Sequence, residues 1–324
     1  MGTTGTKSLN IANNGFGRRS DSADGRVLQH STVMAGDARH ALASVVGWEL
    51  NRATSDWRSW LLVGAVFAGA CLQAPLNSGH FDRDHLNFPI HSAFGLAVGY
   101  MQMLSIVFVA IGSSMVARDL SRRTHEVLMA TPIPTWAYVW GRWLAGVLMC
   151  LGLSIVALLG IIAGGWVLQM AGARPAAYEM PDAVGLAIAF ALIVPVDVFL
   201  LTGFSFTLGT LLPRWANLAI VAVVALWLVG MPVYAANYTD RANTWLPGHP
   251  FMLNAMGRYY LDALQDAQSS HASITFEQQV KLAYEVGTRM PDLSLWLWQL
   301  SYMGVGVVMV ALTARYFSRF RYEL

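Results

Sequence analysis

Long apolar runs separated by short polar breaks organise this chain. Six runs approach or exceed the roughly 20 residues with which a helix crosses a bilayer: 57–75, 94–117, 138–170, 183–211, 216–236 and 293–317. The third is longer than one crossing needs, which predicts a helix that tilts or projects past the bilayer. Ahead of the first run, residues 37–56 read DARHALASVVGWELNRATSD. Leu42, Val45, Val46, Trp48 and Leu50 give this segment apolar weight, and Arg39, Glu49 and Arg52 give it a wet side. That pattern predicts an amphipathic helix lying on the membrane surface. Residues 1–36 are polar and rich in Gly, Ser, Asn and Asp, which predicts a disordered tail without the apolar core of a signal peptide. Residues 237–292 are too long for a simple turn; 251–268 and 275–290 read as two short helices on the outer surface.

Composition agrees with the pattern. Only 12% of residues are charged and 55% are hydrophobic, where a soluble domain carries roughly 25% charged residues. The expected class is therefore an all-α polytopic membrane protein. Its arginines set the orientation. With both ends on one side, that side receives fifteen of the 21 Lys and Arg, and the other receives six. The positive-inside bias then places both termini in the cytoplasm. Trp57, Trp60, Trp136, Trp140, Trp215, Trp296 and Trp298 stand near run ends, as an interfacial belt requires. Cys71 and Cys150 lie inside apolar runs and read as small buried hydrophobes.

Several catalytic classes are excluded. The two lysines, Lys7 and Lys281, follow Thr6 and Val280, so no G-x-x-x-x-G-K-[ST] phosphate loop exists and the chain is not its own P-loop ATPase. Gly203-Phe204-Ser205-Phe206-Thr207 fails the G-x-S-x-G nucleophile elbow at its last position. His125-Glu126 opens like a zinc-protease motif, but Met129 stands where the second His belongs.

The stretch RDLSRRTHEVLMATPIPTW (118–136) interrupts two apolar runs. Leu120, Thr124, Val127, Leu128 and Thr131 fall on one helical face, and Arg118, Arg122, Arg123, His125 and Glu126 fill the rest. Pro132 and Pro134 stop the helix. Two readings fit: a lever offered to a soluble partner, or a surface loop that only supplies positive charge.

The same stretch, continued as A-Y-V-W-G-R-W-L-A-G, resembles the membrane subunits of ABC-2 type transporters. The matching residues are Thr124, Glu126, Leu128, Thr131, Pro132, Gly141, Arg142, Ala145 and Gly146, and G-W-E-L-N-R (47–52) is similar to the family's connecting helix. Arg123 stands where the family often has Gly. The resemblance implies a tail (1–36), an N-terminal amphipathic connecting helix (37–56) and a six-span domain (57–324) with a cytoplasmic coupling helix at 118–131. It further implies a permease, an exporter rather than a catalyst, in the cytoplasmic (plasma or inner) membrane. ATP and Mg would be held by two copies of a separate ATP-binding subunit. Arg118, Arg122, Arg123 and Glu126 would fix the register of that subunit, and Leu120, Val127 and Leu128 would anchor it. A second six-span subunit, identical or not, and membrane lipids complete the expected partners; nucleic acid is not among them.

Asp197 lies near the middle of the fourth run, where an ionisable residue faces the bundle interior or a cavity. It reads either as part of a translocation path or as a structural hydrogen bond near Pro195. Gln102, Ser105 and Gln299 on other runs are its candidate partners. Outside the bilayer, His80, Asp82, Asp84, His85 and His91 are of types that bind Zn or Cu, but their irregular spacing favours a solvated loop. The alternative to a permease is an intramembrane or lipid-modifying enzyme, or a copper-linked maturation factor. Asp197 and the histidines would then be about 15 Å apart across half the bilayer core, too far for one active centre.

Overall fold

The structure, a computed structural model, describes residues 40–78, 100, 103–115, 133–171, 183–212, 220–221, 223–225 and 293–317. Six helices can be followed: α1 (40–55), α2 (Trp57–Ser78), α3 (Met103–Met115), α4 (Thr135–Met170), α5 (Ala183–Leu211) and α6 (Leu293–Tyr316). Among the described residues there is no strand. Three stretches, Thr135–Val167, Ile193–Leu211 and Trp296–Tyr316, are long and apolar enough to cross a membrane, and Trp57–Leu72 and Met103–Met115 are shorter apolar helices. The expected runs at 57–75, 138–170, 183–211 and 293–317 thus become helices within a few residues of their predicted ends. Of 216–236, only 220–221 and 223–225 are described.

The direction of each helix follows from which positions meet. Gly160 of α4 packs on Phe67 and Ala70 of α2, and Gly164 packs on Cys71, so α2 and α4 run parallel. Tyr100 donates its hydroxyl to the Val66 carbonyl near that level, while Met115 and Ile111 meet Gly146, so α3 runs back against α4. Gly306 of α6 meets Phe199 and Leu200 of α5, and Thr313 donates to Thr207 at 2.9 Å, so α5 and α6 are parallel. Tyr138 at the start of α4 stacks with Phe317 at the end of α6 at 6.4 Å, which sets α4 against both. The first turn of α4, the ends of α3, α5 and α6, and α1 therefore share one side of the bundle, here called the base.

Two approaches need glycine. A Cβ on Gly203 would lie 2.7 Å from the Gly306 carbonyl oxygen, and one on Gly306 would press the backbone at Phe199 and Leu200. Backbone cannot yield as a flexible side chain can, so the α5–α6 contact exists only with both glycines. Thr207 then donates to the Gly203 carbonyl at 2.8 Å, so the hydroxyl that accepts from Thr313 is satisfied without water. Gly209 makes a similar approach to α3, where its Cβ would lie 2.5 Å from the Ser113 carbonyl oxygen. Gly304, with nothing within 4 Å of its Cβ position, serves as the control. Gly203→Val is expected to lower stability by about 1–3 kcal/mol or more through overpacking, and Gly304→Ala to be neutral or slightly stabilising. Thermal unfolding of the detergent-solubilised chain checks both; equal midpoints for the two variants would contradict the close contact.

Candidate functional site: the base platform

The base is built where α1 turns into α2 and folds under α4. At the end of α1, the Thr54 and Ser55 hydroxyls donate to the Asn51 carbonyl at 3.0 and 2.7 Å. Asp56 then breaks the helix and caps the next one: its carboxylate accepts from the Arg58 amide at 3.0 Å, and its carbonyl accepts from Ser59 at 3.0 Å. The Trp60 indole reaches back to the Thr54 carbonyl at 2.8 Å. These bonds fix the elbow between α1 and α2, so the two helices move together.

From that elbow α1 lies along the first turns of α4. Gly141 has no side chain because Val45 occupies the space; a Cβ there would sit 2.8 Å from the Val45 side chain. One residue on, the Arg142 guanidinium forms an ion pair with Glu49, and each side chain is only 2% exposed. The guanidinium also lies over two rings, 5.1 Å from the Trp48 centroid and 5.4 Å from that of Tyr138. A planar, weakly hydrated cation suits this sandwich, and lysine would not fill it. Tyr138 passes the contact to Phe317 at the end of α6.

α4 begins where the sequence predicts the preceding helix must stop. The Tyr138 amide donates to the Pro134 carbonyl at 3.1 Å, the first bond of the helix. With 36 residues α4 is about 54 Å long at 1.5 Å per residue, well beyond a hydrocarbon core of about 30 Å. The surplus is used at the base: the turns carrying Tyr138, Gly141 and Arg142 are covered by α1 and Phe317. The next residue, Trp143, donates to the Thr202 hydroxyl at 3.2 Å and meets Phe199 edge-on at 5.4 Å, which joins α5. α1, α4, α5 and α6 thus meet within three turns of α4.

Two sequence expectations are corrected. Glu49 was placed on the wet side of α1, yet it is buried, while Trp48 from the apolar set is 54% exposed. The reason is Arg142: a cation that turns inward from α4 draws the carboxylate under the helix, and Trp48 caps the pair from outside. Arg142, one of the fifteen Lys and Arg counted on the side of both termini, is also interior. Of the segment 37–56, residues 40–55 are described and form a helix. Cys150 is buried, Cys71 is half-buried, and both are free thiols, in keeping with their apolar settings.

Asp197 is fully buried on α5, and neither carboxyl oxygen has a hydrogen-bond partner among the described residues. The structural hydrogen bond near Pro195 is therefore not what holds it. Gln299 and Ser105 are also buried. Arg118, Leu120, Arg122, Arg123, Glu126, Val127 and Leu128 lie outside the described residues, as do Gln102, the histidines His80, His85 and His91, the tail 1–36 and the outer segment 237–292. Met115 and Ile133, which bound the undescribed segment 116–132, both stand at the base. Among the described residues no group of three or more His, Cys, Asp or Glu is placed to hold a metal.

Residues 43–320 match a family model described as ABC-2 family transporter protein. No curated protein and no solved structure matches the chain. The matched region contains the whole platform, from Val45 to Phe317.

Removing one member of a buried ion pair strands the other, which typically costs about 3–5 kcal/mol, whereas replacing both by apolar groups costs far less. Arg142→Met and Glu49→Met are each expected to destabilise by about that amount, and the double variant by much less than the sum. Arg142→Lys is expected to recover only part of the loss, because the ammonium does not stack between Trp48 and Tyr138. A double-mutant cycle from thermal unfolding reads the coupling; additive singles would refute the pair.

Proposed function

This chain belongs to the ABC-2 transporter family, and from that membership we propose that it is the six-span permease subunit of an exporter driven by a separate ATP-binding subunit. The membership makes it a membrane component of a transporter that works with an ATP-binding partner, integral to a membrane. The finer reading concerns how force enters. In it, residues 118–131 form a coupling helix on the cytoplasmic side. Arg118, Arg122, Arg123 and Glu126 meet the ATPase, and Leu120, Val127 and Leu128 anchor it.

The observation that carries this reading is the buried Glu49–Arg142 pair. It ties the interfacial helix to the base of α4, two turns from the point where α4 leaves the segment 116–132. A push on that segment would move α1, α2 and α4 as one body rather than bending a loop. The fixed α1–α2 elbow and the parallel α2–α4 contact extend the same body across the bundle. Parallel α5 and α6 support a return crossing between them, which is where the run 216–236 falls, and so support six spans with both ends on one side. On this reading two ATP-binding subunits, holding ATP and Mg, act on two such six-span subunits in the cytoplasmic membrane. Asp197 and Gln299, with Gln102, line the path that opens between them. Force is transmitted only if the permease differs in contact energy between the ATPase's states.

The test replaces Arg122 and Glu126 together with alanine in the full chain and isolates it with an ATP-binding subunit encoded beside it. ATPase recovered with the permease is expected to fall by about tenfold or more, the loss typical of charged contacts at an interface. Membrane insertion and thermal stability are expected to stay unchanged. Full retention of the ATPase by the double variant would remove the coupling role from 118–131.

A further inference from the structure

We propose that Asp197 is the anionic centre of a monovalent-cation site enclosed by α3, α5 and α6. Asp197 is 0% exposed, and both of its oxygens lack a hydrogen-bond partner among the described residues. A carboxylate isolated in an apolar interior is costly, and such groups occur where they are paired or coordinate an ion. The described chain offers no such partner. Arg142 is engaged with Glu49 at the base, and Arg58 and Arg315 stand at the basal ends of α2 and α6. Asp197 lies 14 residues from Leu211 at the basal end of α5, about 21 Å along the helix. An ionised Asp197 would therefore need a positive charge from outside the described residues.

Helix register brings uncharged oxygen donors to the same level. α5 and α6 meet with an offset of 106 at Thr207–Thr313 and 107 at Phe199–Gly306, which sets residue 303 or 304 opposite Asp197. Gln299, buried to 3% exposure, is about one turn away. α3 and α5 meet with offsets of 90 and 93 where Gly112 packs on Thr202 and Ser205, and 96 at Ser113–Gly209, which brings the described start of α3, from Met103, to the level of Asp197. Ser105, 1% exposed, lies in that first turn. Three helices thus bring one carboxylate, one amide and one hydroxyl to a common depth within apolar walls that include Ile193, Val194 and Leu201.

The donor set defines the class of occupant. Oxygen-only ligands with a single formal negative charge balance one positive charge, and hard cations and ammonium groups both accept such ligands. No cluster of three or more His, Cys, Asp or Glu exists among the described residues, so a transition-metal centre is not what this depth provides. The cation is either a free alkali ion or the ammonium head of a carried amphiphile. The site stands on the packing of α3, α5 and α6; only the step from binding to transport rests on the permease reading. Entry would need α5 to part from α3 or α6, because the carboxyl is closed off in the packed state.

The test uses the purified full chain in detergent without any ATPase, so the outcome is independent of coupling at 118–131. Binding of radiolabelled sodium, rubidium and methylammonium is measured separately for the wild type and for Asp197→Asn, which keeps the shape and removes the charge. Saturable binding of one cation near one per chain is expected. The Asn variant is expected to weaken it by about a hundredfold or more, as loss of a buried charge pair does. Binding of sodium or rubidium identifies an alkali site; binding of methylammonium alone identifies a substrate head group. Modification of Asp197 by dicyclohexylcarbodiimide, mapped by mass spectrometry in the wild type, gives a reading should the variant fail to fold. The bound cation is expected to protect the carboxyl. No saturable binding of any of the three, equal binding by a folded Asn variant, or labelling indifferent to every cation would overturn the site.

Discussion

Burial of the Arg142 guanidinium is the constraint on which the base depends. A full charge cannot leave water unless a counter-charge and stacking surfaces meet it. Glu49 supplies the charge and the Trp48 and Tyr138 rings supply the surfaces. Two of these three groups belong to α1, so satisfying Arg142 requires α1 to dock on α4 in one register. Gly141 then follows as a necessity, since Val45 must come within reach for Glu49 to arrive. The pair is weak evidence for net stability and better evidence for specificity: shifting α1 by one residue would leave two buried charges unmatched.

Glycine performs the corresponding task higher in the bundle, with no charge involved. Lipid is as apolar as the helix surfaces, so hydrophobic burial does not by itself draw spans together. Close backbone approach does, and Gly160 and Gly164 give it to α2–α4 as Gly203 and Gly306 give it to α5–α6. The hydroxyls of Thr207 and Thr313 then close on one another where no water is needed. Both contacts join helices that run the same way. The parallel pairs α2–α4 and α5–α6 are joined through Trp143, Thr202 and Phe199, and α3 packs on both α4 and α5.

The helices α2 to α6 were legible from hydropathy because each is apolar nearly all round, and run length alone fixes such an element. The surplus length of α4 was legible too, though not its use. The G-W-E-L-N-R and G-R-x-x-A-G stretches were visible as separate motifs 94 residues apart in their first glycines, Gly47 and Gly141. That they form one site was not visible, because helical periodicity assigns a residue to a face by its type. Glu49 reads as solvent-facing on that rule until its partner is known. Trp48 and Glu49 exchange their expected exposures for this reason alone, a tertiary charge overriding a local pattern. Asp197 was singled out by depth, and it is buried. Its lack of a partner, unlike its depth, is a property of neighbouring helices that no single run encodes.

Arg142 and Asp197, both buried, are thus treated in opposite ways, and the contrast bears on motion. Arg142 is matched by groups from two helices, so any separation of α1 from α4 exposes an unpaired ion and is resisted. Among the described residues Asp197 is matched by none, so separation of α5 from α3 or α6 breaks no ion pair within them and would let water reach the carboxyl. Electrostatics alone therefore favours a bundle that moves rigidly at its base and parts near its middle. A transporter needs the same division: a stiff end through which force enters, and a centre whose closed state is held by packing and weakened by its own charge. The glycine contacts at Gly112, Gly203 and Gly306 supply the packing that keeps the centre shut. They are short-range, so a gap of about 0.5–1 Å already forfeits a quarter to a half of their attraction.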